Sequence, residues 1–456
     1  MTLACSGDCP RDAAEQAMLN FFPPGFPGRA RCAARGGRAV TVVAVGSKRT
    51  KGVCLYSRSL SDAVKESFYR AALPHLPFAP PWGSLAGIRP ACQAAKWLAQ
   101  GKDAREWLLA RHVEPSRARL ALECAAAHVE ALRGLDPCAC ALYVSVPFCP
   151  QRCAYCSFVS ADVTRASALA EPYVEMLARE IAAARAVVPR PVAVYVGGGT
   201  PTALSAGQLD KLLAALPLPE GAEFTVEAGR PDTLTREKLA VMRSRGVGRV
   251  SVNPQSMNAV TLSAIGRSHT PEDVRRAYAL ARSAGFAAVN MDIIAGLPGE
   301  TEADFARTVD EVLALEPENI TTHTLAPKKG AALYSGAGHP RLRAAAARRM
   351  LDYAYARLRK RGYGPYYLYR QKFTPGMCEN VGWTKPGHEN LYNLCMMEEL
   401  CTVIAAGAGA VTKLVSRGSG QIIRLQNCKY PLEYLRSRDK IESNIARAAR
   451  FLSAAR

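Results

Sequence analysis

Three cysteines, Cys149, Cys153 and Cys156, stand close together with the spacing C-x3-C-x2-C. Three thiolates on one short loop can ligate three irons of a four-iron cluster, whose remaining iron is then free to bind a small molecule. A structural zinc site normally has four protein ligands, so the triad favours an open iron–sulfur cluster. Two alternatives stay open: a zinc site that borrows Cys138 or Cys140, and a chance clustering.

Small and polar residues follow the strand-like segments after the cysteine loop. The second segment ends in Gly197-Gly198-Gly199-Thr200, where glycines let a ligand reach the backbone N–H and C=O groups. The carboxylate of Asp292 lies in an otherwise apolar segment and needs a partner, because an isolated buried carboxylate is very costly; ribose hydroxyls would serve. Further polar residues at segment ends are Glu227, Gln255 and Arg267. Each alone is more often a helix cap or a structural residue, but their placement on successive strands predicts a common ligand site.

These residues must be positioned by the elements that carry them, and the chain from residue 141 alternates strands and helices. The predicted strands are 141–146, 192–196, 223–227, 249–253, 287–294 and 320–325. The predicted helices between them are 170–187, 206–216, 235–246, 271–285 and 302–315. Such alternation implies a parallel sheet, and six units indicate a partial, open (β/α)6 barrel rather than a closed barrel. Ligands of such barrels lie at the carboxyl ends of the strands.

The chain divides into three predicted domains. Residues 1–135 form an N-terminal α/β accessory domain, with a strand at 41–45 and helices at 61–72 and 117–132. Residues 136–330 form the α/β partial barrel that carries the site. Residues 331–456 form a mainly helical C-terminal domain that covers the substrate side of the barrel.

Composition limits the function classes. The 456 residues carry a formal net charge of +20 and are 49% hydrophobic and 21% charged, which is typical of a soluble globular protein. No apolar run approaches the roughly 20 residues of a membrane helix, and no signal peptide is evident, so we expect a cytoplasmic protein without a membrane span. A basic surface attracts polyanions, but no dense Lys/Arg tract with interleaved aromatics indicates a nucleic acid partner. Most of the other cysteines are expected to be small buried hydrophobes, with Cys138 and Cys140 as an alternative second metal site.

The cysteine spacing resembles that of the radical S-adenosylmethionine (SAM) enzymes. From about Tyr143 to Ala326, the order and spacing of residues resemble the oxygen-independent coproporphyrinogen III oxidase (coproporphyrinogen dehydrogenase) family. A HemZ-type subgroup is indicated by Trp82-Gly with Gly87-Ile-Arg-Pro, by Pro365-Tyr-Tyr-Leu-Tyr-Arg-Gln-Lys372, and by Glu379-Asn-Val-Gly-Trp. The resemblance implies a 4Fe-4S cluster on the cysteine triad and SAM as cofactors. It implies SAM contacts at Tyr143, Tyr155, Gly198, Gly199, Thr200, Glu227, Gln255, Arg267, Asp292 and Ala326.

The resemblance also implies a reaction. A one-electron donor such as flavodoxin or ferredoxin reduces the cluster, and SAM breaks to methionine and a 5′-deoxyadenosyl radical. The radical takes a hydrogen from a propionate β-carbon of coproporphyrinogen III, and loss of CO2 and one electron leaves a vinyl group. Two rounds give protoporphyrinogen IX in anaerobic heme biosynthesis. No catalytic side chain is predicted, because the radical arises at the cluster–SAM unit. Candidates for contact with the tetrapyrrole are Arg370, Lys372, His269 and His323.

One departure from the oxidase pattern bears on the substrate. The oxidases carry a further cysteine two residues after the third, where this chain has Phe158. Phenylalanine there is typical of related heme chaperones, whose C-terminal His-Asn-x-x-Tyr-Trp motif is matched poorly by His388-Glu-Asn-Leu-Tyr-Asn393. A heme-binding chaperone therefore remains an alternative, as does a radical SAM enzyme that methylates heme and opens its ring.

Overall fold

The structure is a computed structural model that describes residues 1–22, 25–56, 59–85, 89–326, 330–334, 344–371, 374, 377–416 and 420–455. Among these residues, no helix has the length and apolar character needed to cross a membrane.

The N-terminal part of the chain builds its own small sheet and core. Its elements are β1 (Thr2–Gly7), α1 (Arg11–Phe21), β2 (Arg29–Arg35), β3 (Arg38–Val45), β4 (Lys48–Leu55) and α2 (Leu60–Ala72). Side chains of β2 alternate between exposed and buried along the strand, as expected for a sheet with one covered face. The covered face packs on α1 and α2 around Phe21, Phe22 and Phe68. The strand order is β1-β2-β3-β4.

Three helices connect this unit to the rest of the molecule: α3 (Pro90–Ala99), α4 (Ala104–Leu109) and α5 (Pro115–Arg133). Their buried residues, including Trp107, Leu108 and Leu120, belong to the main hydrophobic core rather than to the N-terminal one. The helices predicted at 61–72 and 117–132 and the strand predicted at 41–45 are confirmed.

The large sheet begins with the predicted strand–helix alternation. Its strands up to residue 324 are β5 (Cys140–Val146), β8 (Ala193–Gly198), β9 (Glu223–Val226), β10 (Arg249–Ser251), β11 (Ala288–Ala295) and β12 (Asn319–Thr324). The short β6 (Phe148–Cys149) and β7 (Ala161–Asp162) form a separate pair. The helices between them are α6 (Ser167–Val187), α7 (Ala206–Ala214), α8 (Arg236–Ser244), α9 (Ala259–Ala264), α10 (Pro271–Ser283) and α11 (Glu302–Leu315). Helices α7, α10 and α11 begin with capping boxes at Ser205, Thr270 and Thr301, which fix where each crossover turns back.

The C-terminal part contains both helices and strands. It consists of α12 (Ala344–Lys360), β13 (Gly364–Arg370), β14 (Glu379–Thr384), α13 (Leu391–Glu398), β15 (Thr402–Ala406), β16 (Val411–Val415), β17 (Ile422–Gln426), α14 (Pro431–Leu435) and α15 (Arg438–Ala455). The five strands extend both edges of the large sheet, a feature that the sequence analysis did not predict.

The large sheet has the order β13-β14-β12-β11-β10-β9-β8-β5-β15-β16-β17, while β6 pairs only with β7. Strands β5 and β8 to β12 are parallel neighbours, and β15 joins β5 in parallel, whereas the pairs at both edges are antiparallel. No described pairing joins β13 to β17, so the sheet is not closed. The mixed α/β fold with an open partial barrel is therefore as predicted.

A buried carboxylate ties α5, the Trp82 loop and the C-terminal part together. Glu379 on β14 is fully buried and accepts hydrogen bonds from the Trp82 indole Nε1 at 2.7 Å and the Tyr355 hydroxyl at 3.0 Å. The Arg117 Nε on α5 forms an ion pair at 3.0 Å with Glu379 Oε1, the oxygen that also accepts from Tyr355. Two of the segments that carry the HemZ-type resemblance thus contact each other, while Gly87 and Ile88 lie outside the described residues.

We expect Glu379→Ala to lower the free energy of unfolding by about 3–5 kcal/mol, because it leaves the buried Arg117 paired only with the partly exposed Asp352 and removes the acceptor of the buried Trp82 and Tyr355 donors. Urea unfolding measures the loss. Glu302→Ala is the matched control, since Glu302 forms an exposed ion pair with Arg349 and such pairs contribute less than about 1 kcal/mol. A loss for Glu379→Ala no larger than that of the control would contradict the structural importance of this network.

Candidate functional site

The cysteine loop leaves the sheet at the carboxyl end of β5. Cys149 ends β6, and its Sγ lies 3.5 Å from the Thr200 hydroxyl. The Ala154 backbone N–H donates to the Ile265 carbonyl at 2.9 Å and fixes the loop to the residue that follows α9. The Cys156 N–H donates to the Cys153 carbonyl at 3.1 Å, which closes a tight turn. The three thiols are free and partly exposed, so a cluster can reach all of them.

The glycines at the end of β8 lie against this loop and leave no room for side chains. Gly198 has a φ of +111°, a conformation that disfavours other residues. A Cβ on Gly199 would lie 2.6 Å from the Phe148 carbonyl oxygen and 3.0 Å from the Cys149 sulfur. The Thr200 N–H donates to the Phe148 carbonyl at 2.7 Å and holds the two segments together. The glycines therefore permit the close approach of strand end and cysteine loop.

Two half-buried carboxylates form the base of the site. Glu227 accepts a hydrogen bond from the Tyr195 hydroxyl at 2.5 Å. Burial raises the pKa of Glu227 to about 7, against the lowering effect of that hydrogen bond. Asp292 accepts from the Asn290 amide at 2.8 Å and lies 3.8 Å from the His323 Nε2. Burial alone would raise the pKa of Asp292, but His323 and Asn290 bring it below its ordinary value.

Two polar side-chain atoms of Gln255 and Arg267, which also line the cavity, lack partners among the described residues. Gln255 takes a φ of +65°, and its backbone N–H donates to the Asp292 carbonyl at 2.9 Å. Arg267 is buried and donates to the Tyr155 hydroxyl at 3.0 Å and the Asn253 carbonyl at 2.9 Å. The Gln255 Oε1 and the Arg267 Nε are buried without a hydrogen-bond partner in the described chain. Since buried polar groups are normally satisfied, these atoms indicate a bound ligand.

All of these groups line one cavity of about 410 Å³ at the carboxyl ends of the parallel strands. Every predicted site residue but one contributes to its lining: Cys149, Cys153, Tyr155, Cys156, Gly198, Gly199, Thr200, Glu227, Gln255, Arg267, Asp292 and Ala326. The exception is Tyr143, which lies beneath the cavity and stacks on Tyr195 and Tyr392 at centroid distances of 6.3 and 5.9 Å. The individual SAM contacts stay predictions.

The cavity also contains residues that sequence reasoning missed. Arg230 lies with its NH1 3.8 Å from the Cys153 sulfur, and it is held by two hydrogen bonds to Asp232. The C-terminal part contributes Tyr367, Tyr369, Asn380, Asn393 and Met397. Only the position of Arg230, three residues after Glu227, was a usable signal. The others come from segments far along the chain.

The candidates for contact with a tetrapyrrole differ in whether they line the cavity. His323 lines the cavity, whereas His269 is buried outside it, where burial and Arg267 lower its pKa to about 4. Arg370 does not line the cavity. It is half-buried over the Trp82 ring and donates to Asn20 at 3.0 Å, and desolvation lowers its pKa to about 10. Lys372 lies outside the described residues.

Cys138 and Cys140, at the start of β5, are not arranged as a pair of metal ligands. Cys138 is exposed and Cys140 is buried, with the Cys140 Sγ donating to the Cys138 backbone carbonyl at 3.5 Å.

Comparison with known proteins places this cavity in a family context. Residues 143–312 match the radical SAM superfamily. The chain is similar to the oxygen-independent coproporphyrinogen-III oxidase-like protein HemZ of Bacillus subtilis, with 38% identity over 308 residues, which covers 64% of this chain and 60% of that one. It is also similar to the heme chaperone HemW of Bacillus subtilis, with 34% identity over 40% of this chain and 49% of that one. The chain thus spans less than two thirds of the length of these curated relatives.

A solved structure shares the fold. Coproporphyrinogen III oxidase (HemN) from Escherichia coli, described as a radical SAM enzyme, superposes with a TM-score of 0.51 and 22% identity, covering 69% of this chain and 72% of that one. At this identity the likeness concerns the fold alone. Together with the sequence match, it identifies a radical SAM domain within the chain.

The radical SAM superfamily implies a 4Fe-4S cluster and SAM, and the residues present suit both groups. Three free thiols on one loop can hold three irons, and the Arg230 guanidinium beside Cys153 can offset the negative charge of the thiolates. The carboxylates at the base and the unpartnered Gln255 oxygen provide acceptors for hydroxyl and ammonium donors.

We expect Cys149→Ser, Cys153→Ser and Cys156→Ser each to abolish stable cluster binding, because each removes one of three thiolate ligands. Iron and sulfide content after anaerobic reconstitution, with the visible absorption of the cluster, measures this. Cys428→Ser is the matched control, since Cys428 is a half-buried free cysteine outside the cavity. Unchanged iron content in a triad variant would contradict the assignment of that ligand.

Glu227→Gln should change how stability depends on pH. The pKa of Glu227 is about 7 in the folded protein, whereas an ordinary glutamate carboxyl has a pKa of 4.5. As the pH rises, Glu227 therefore ionises first in the unfolded chain. The folded wild type therefore loses about 3 kcal/mol of stability across this window, a loss that glutamine avoids. Urea unfolding of the cofactor-free protein should show the variant gaining on the wild type between about pH 4.5 and 7. The exposed Glu220→Gln should show a flat difference, and the same flat result for Glu227→Gln would refute the raised pKa.

Proposed function

We propose that this chain, which contains a radical SAM domain over residues 143–312, oxidatively decarboxylates the propionate groups of coproporphyrinogen III to vinyl groups, giving protoporphyrinogen IX. The observation that supports this most is the convergence of three free thiols, a glycine-rich strand end and two half-buried carboxylates on one cavity. The tetrapyrrole substrate is supported by the relatives named HemZ and coproporphyrinogen III oxidase.

The residues of the cavity divide between the two cofactors. Cys149, Cys153 and Cys156 would hold the cluster. When bound, the cluster and SAM together supply a carbon radical that can abstract hydrogen from an unactivated C–H bond, which no side chain can do. The protein's own contribution is to bind, to orient and to exclude water.

Orientation of SAM would come from opposite walls of the cavity. The backbone of Gly198 and Gly199 can accept the amino group of the methionine moiety, while Asp292 can accept ribose hydroxyls. Arg267 fixes Tyr155 on the cysteine loop through a 3.0 Å hydrogen bond, so a change at either residue would tilt the loop. Because near-attack geometry tolerates little displacement, these contacts matter for rate as well as for affinity.

Water would be kept out by a ring of tyrosines. Tyr195 comes from the barrel, and Tyr367 and Tyr369 come from β13 and stack on each other at 6.5 Å. A primary carbon radical reacts with almost any neighbouring group, so these aromatic side chains would help to protect the intended reaction. We infer that β13 and α13, which carries Asn393 and Met397, form the substrate-covering side of the site.

The substrate's carboxylates need a cation at the mouth of the cavity. Of the arginines that line it, Arg230 is paired with Asp232 and Arg267 is bound to Tyr155 and backbone carbonyls. Arg152 is exposed, lies on the cysteine loop, and donates to the Gly330 carbonyl at 2.7 Å. We infer that Arg152 meets a propionate, because its backbone-bonded guanidinium keeps further donors for a carboxylate.

A heme-binding chaperone is the second candidate function. Relatives named heme chaperone HemW support it, as does Phe158, which is 66% exposed and lines the cavity where the oxidases carry a cysteine. Against it, the poorly matching segment at His388 lies at the opposite edge of the sheet. The His388 carbonyl accepts hydrogen bonds from Arg249 and Asn319, at the amino ends of β10 and β12. A heme held by His388 would lie at the amino ends of these strands, although Asn393 at the other end of the segment lines the cavity.

An anaerobic assay tests the proposal. The full chain with a reconstituted cluster receives dithionite, SAM and coproporphyrinogen III, and mass spectrometry identifies the products. We expect protoporphyrinogen IX with stoichiometric 5′-deoxyadenosine, and neither product from the Cys149→Ser control. Deoxyadenosine with an unchanged porphyrinogen would refute the substrate. Stable heme binding without vinyl formation would favour the chaperone, and a linear tetrapyrrole made from heme would favour ring opening.

A further inference from the structure

We propose that Cys92, His128 and Glu398 form a second metal site, which binds a zinc ion apart from the iron–sulfur cluster. Cys92 lies on α3, His128 on α5, and Glu398 is the last residue of α13. Along the chain, Glu398 is 306 residues from Cys92 and 270 residues from His128. Nothing in the proposed reaction uses them.

The donor atoms are close enough for one ion to bridge them. One ligand atom from each residue lies within 4.8 Å of the others. The His128 Nδ1 lies 3.3 Å from the Glu398 Oε2. Because zinc bonds to sulfur, nitrogen and oxygen are about 2.0–2.3 Å long, the donors of a tetrahedral site lie about 3 to 4 Å apart. Small side-chain rotations are enough to close the site.

The carboxylate of Glu398 is fully buried, and no lysine or arginine pairs with it among the described residues. Its neighbour Glu399, which takes a left-handed φ of +59°, points the other way and pairs with Arg89 at 2.5 Å. Lys413 donates to the Met396 carbonyl at 2.7 Å. The Glu398 Oε1 has no hydrogen-bond partner in the described part of the chain. A buried carboxylate without a cation is costly, and a divalent ion would offset that cost.

The donor set indicates zinc. A thiolate, an imidazole and a carboxylate are the ligands of zinc sites, whereas calcium and magnesium need oxygen ligands throughout. The two oxygens of Glu398 can complete four donors, with Oε1 as the fourth. Cys92 is half-buried, so a zinc ion can enter from its side, and its thiol releases a proton to solvent on binding.

The position of the site gives it a structural consequence. Met397, directly before Glu398, and Asn393, one turn earlier, both line the cavity. A metal ion at Glu398 would therefore fix the end of α13 to α3 and α5 and hold that wall of the cavity in place. Since the ion itself lies outside the cavity lining, we assign it a positioning role.

The test is metal content of the full chain with its cluster reconstituted, so that iron occupies the cysteine triad. After incubation with zinc sulfate and gel filtration over a mild chelator, we expect about one zinc per chain in the wild type. Cys92→Ser, His128→Gln and Glu398→Gln should each bind zinc at least about tenfold more weakly, since each removes a ligand. Cys54→Ser, at a half-buried free cysteine of the N-terminal sheet, is the matched control and should keep its zinc.

X-ray absorption at the zinc edge distinguishes this site from others. One sulfur with nitrogen and oxygen neighbours supports the proposal, whereas several sulfur neighbours would place the zinc at a cysteine-rich site and overturn it. Equal zinc in the wild type and the three variants would also overturn it, as would no zinc in any of them. Iron content and melting temperature show whether each variant is folded. The readout is independent of the porphyrinogen assay, so a failure of the proposed function leaves this test intact.

Discussion

The register of the parallel strands is the constraint on which the rest of the site depends. Backbone hydrogen bonds align Val146 with Gly198 and Val196 with Val226, so neighbouring strands end at nearly the same height. The cysteine loop follows β5, the glycine turn begins at the last residue of β8, Glu227 directly follows β9, and Asp292 lies in the carboxyl half of β11. The alignment of the strands therefore brings these groups together, and the cavity lies at the carboxyl ends of the parallel strands. A shift of one residue in one strand would turn a functional side chain to the other face.

The second constraint is the cost of the polar groups that this edge buries. Glu227 and Asp292 both lie in the sheet, and each has only partial compensation from the protein: a tyrosine hydroxyl for one, an amide and a histidine for the other. The orphan atoms of Gln255 and Arg267 add to that cost. Such a site is less stable without its ligand than with it, because ligand donors and acceptors replace the water that folding removes. Stability is thus exchanged for a preformed binding surface.

How much the sequence could predict depends on how far apart along the chain the interacting residues lie. Alternating strands and helices, and the motifs at strand ends, are local patterns, so the open barrel could be anticipated, and nearly all the predicted site residues line the cavity. Contacts between distant segments could not. Nothing local shows that Arg370 packs over the Trp82 ring or that Tyr143 stacks on Tyr195 and Tyr392 instead of lining the cavity. The extra strands at the sheet edges also depend on pairing across the whole chain, which residue types alone do not specify.

The same distinction explains what the N-terminal helices do. No local sequence motif predicts chemistry in residues 1–135, yet α5 reaches the C-terminal part at two separate points. At one, Arg117 meets the buried carboxylate of Glu379; at the other, His128 meets that of Glu398. Both acids belong to the segment whose tyrosines and methionine form the cavity wall. Because each buried acid would be strongly destabilised by losing its partner, the wall cannot move far from α5 while the protein is folded. The helices between the N-terminal sheet and the barrel therefore act on function indirectly, by fixing the side of the cavity that faces the substrate.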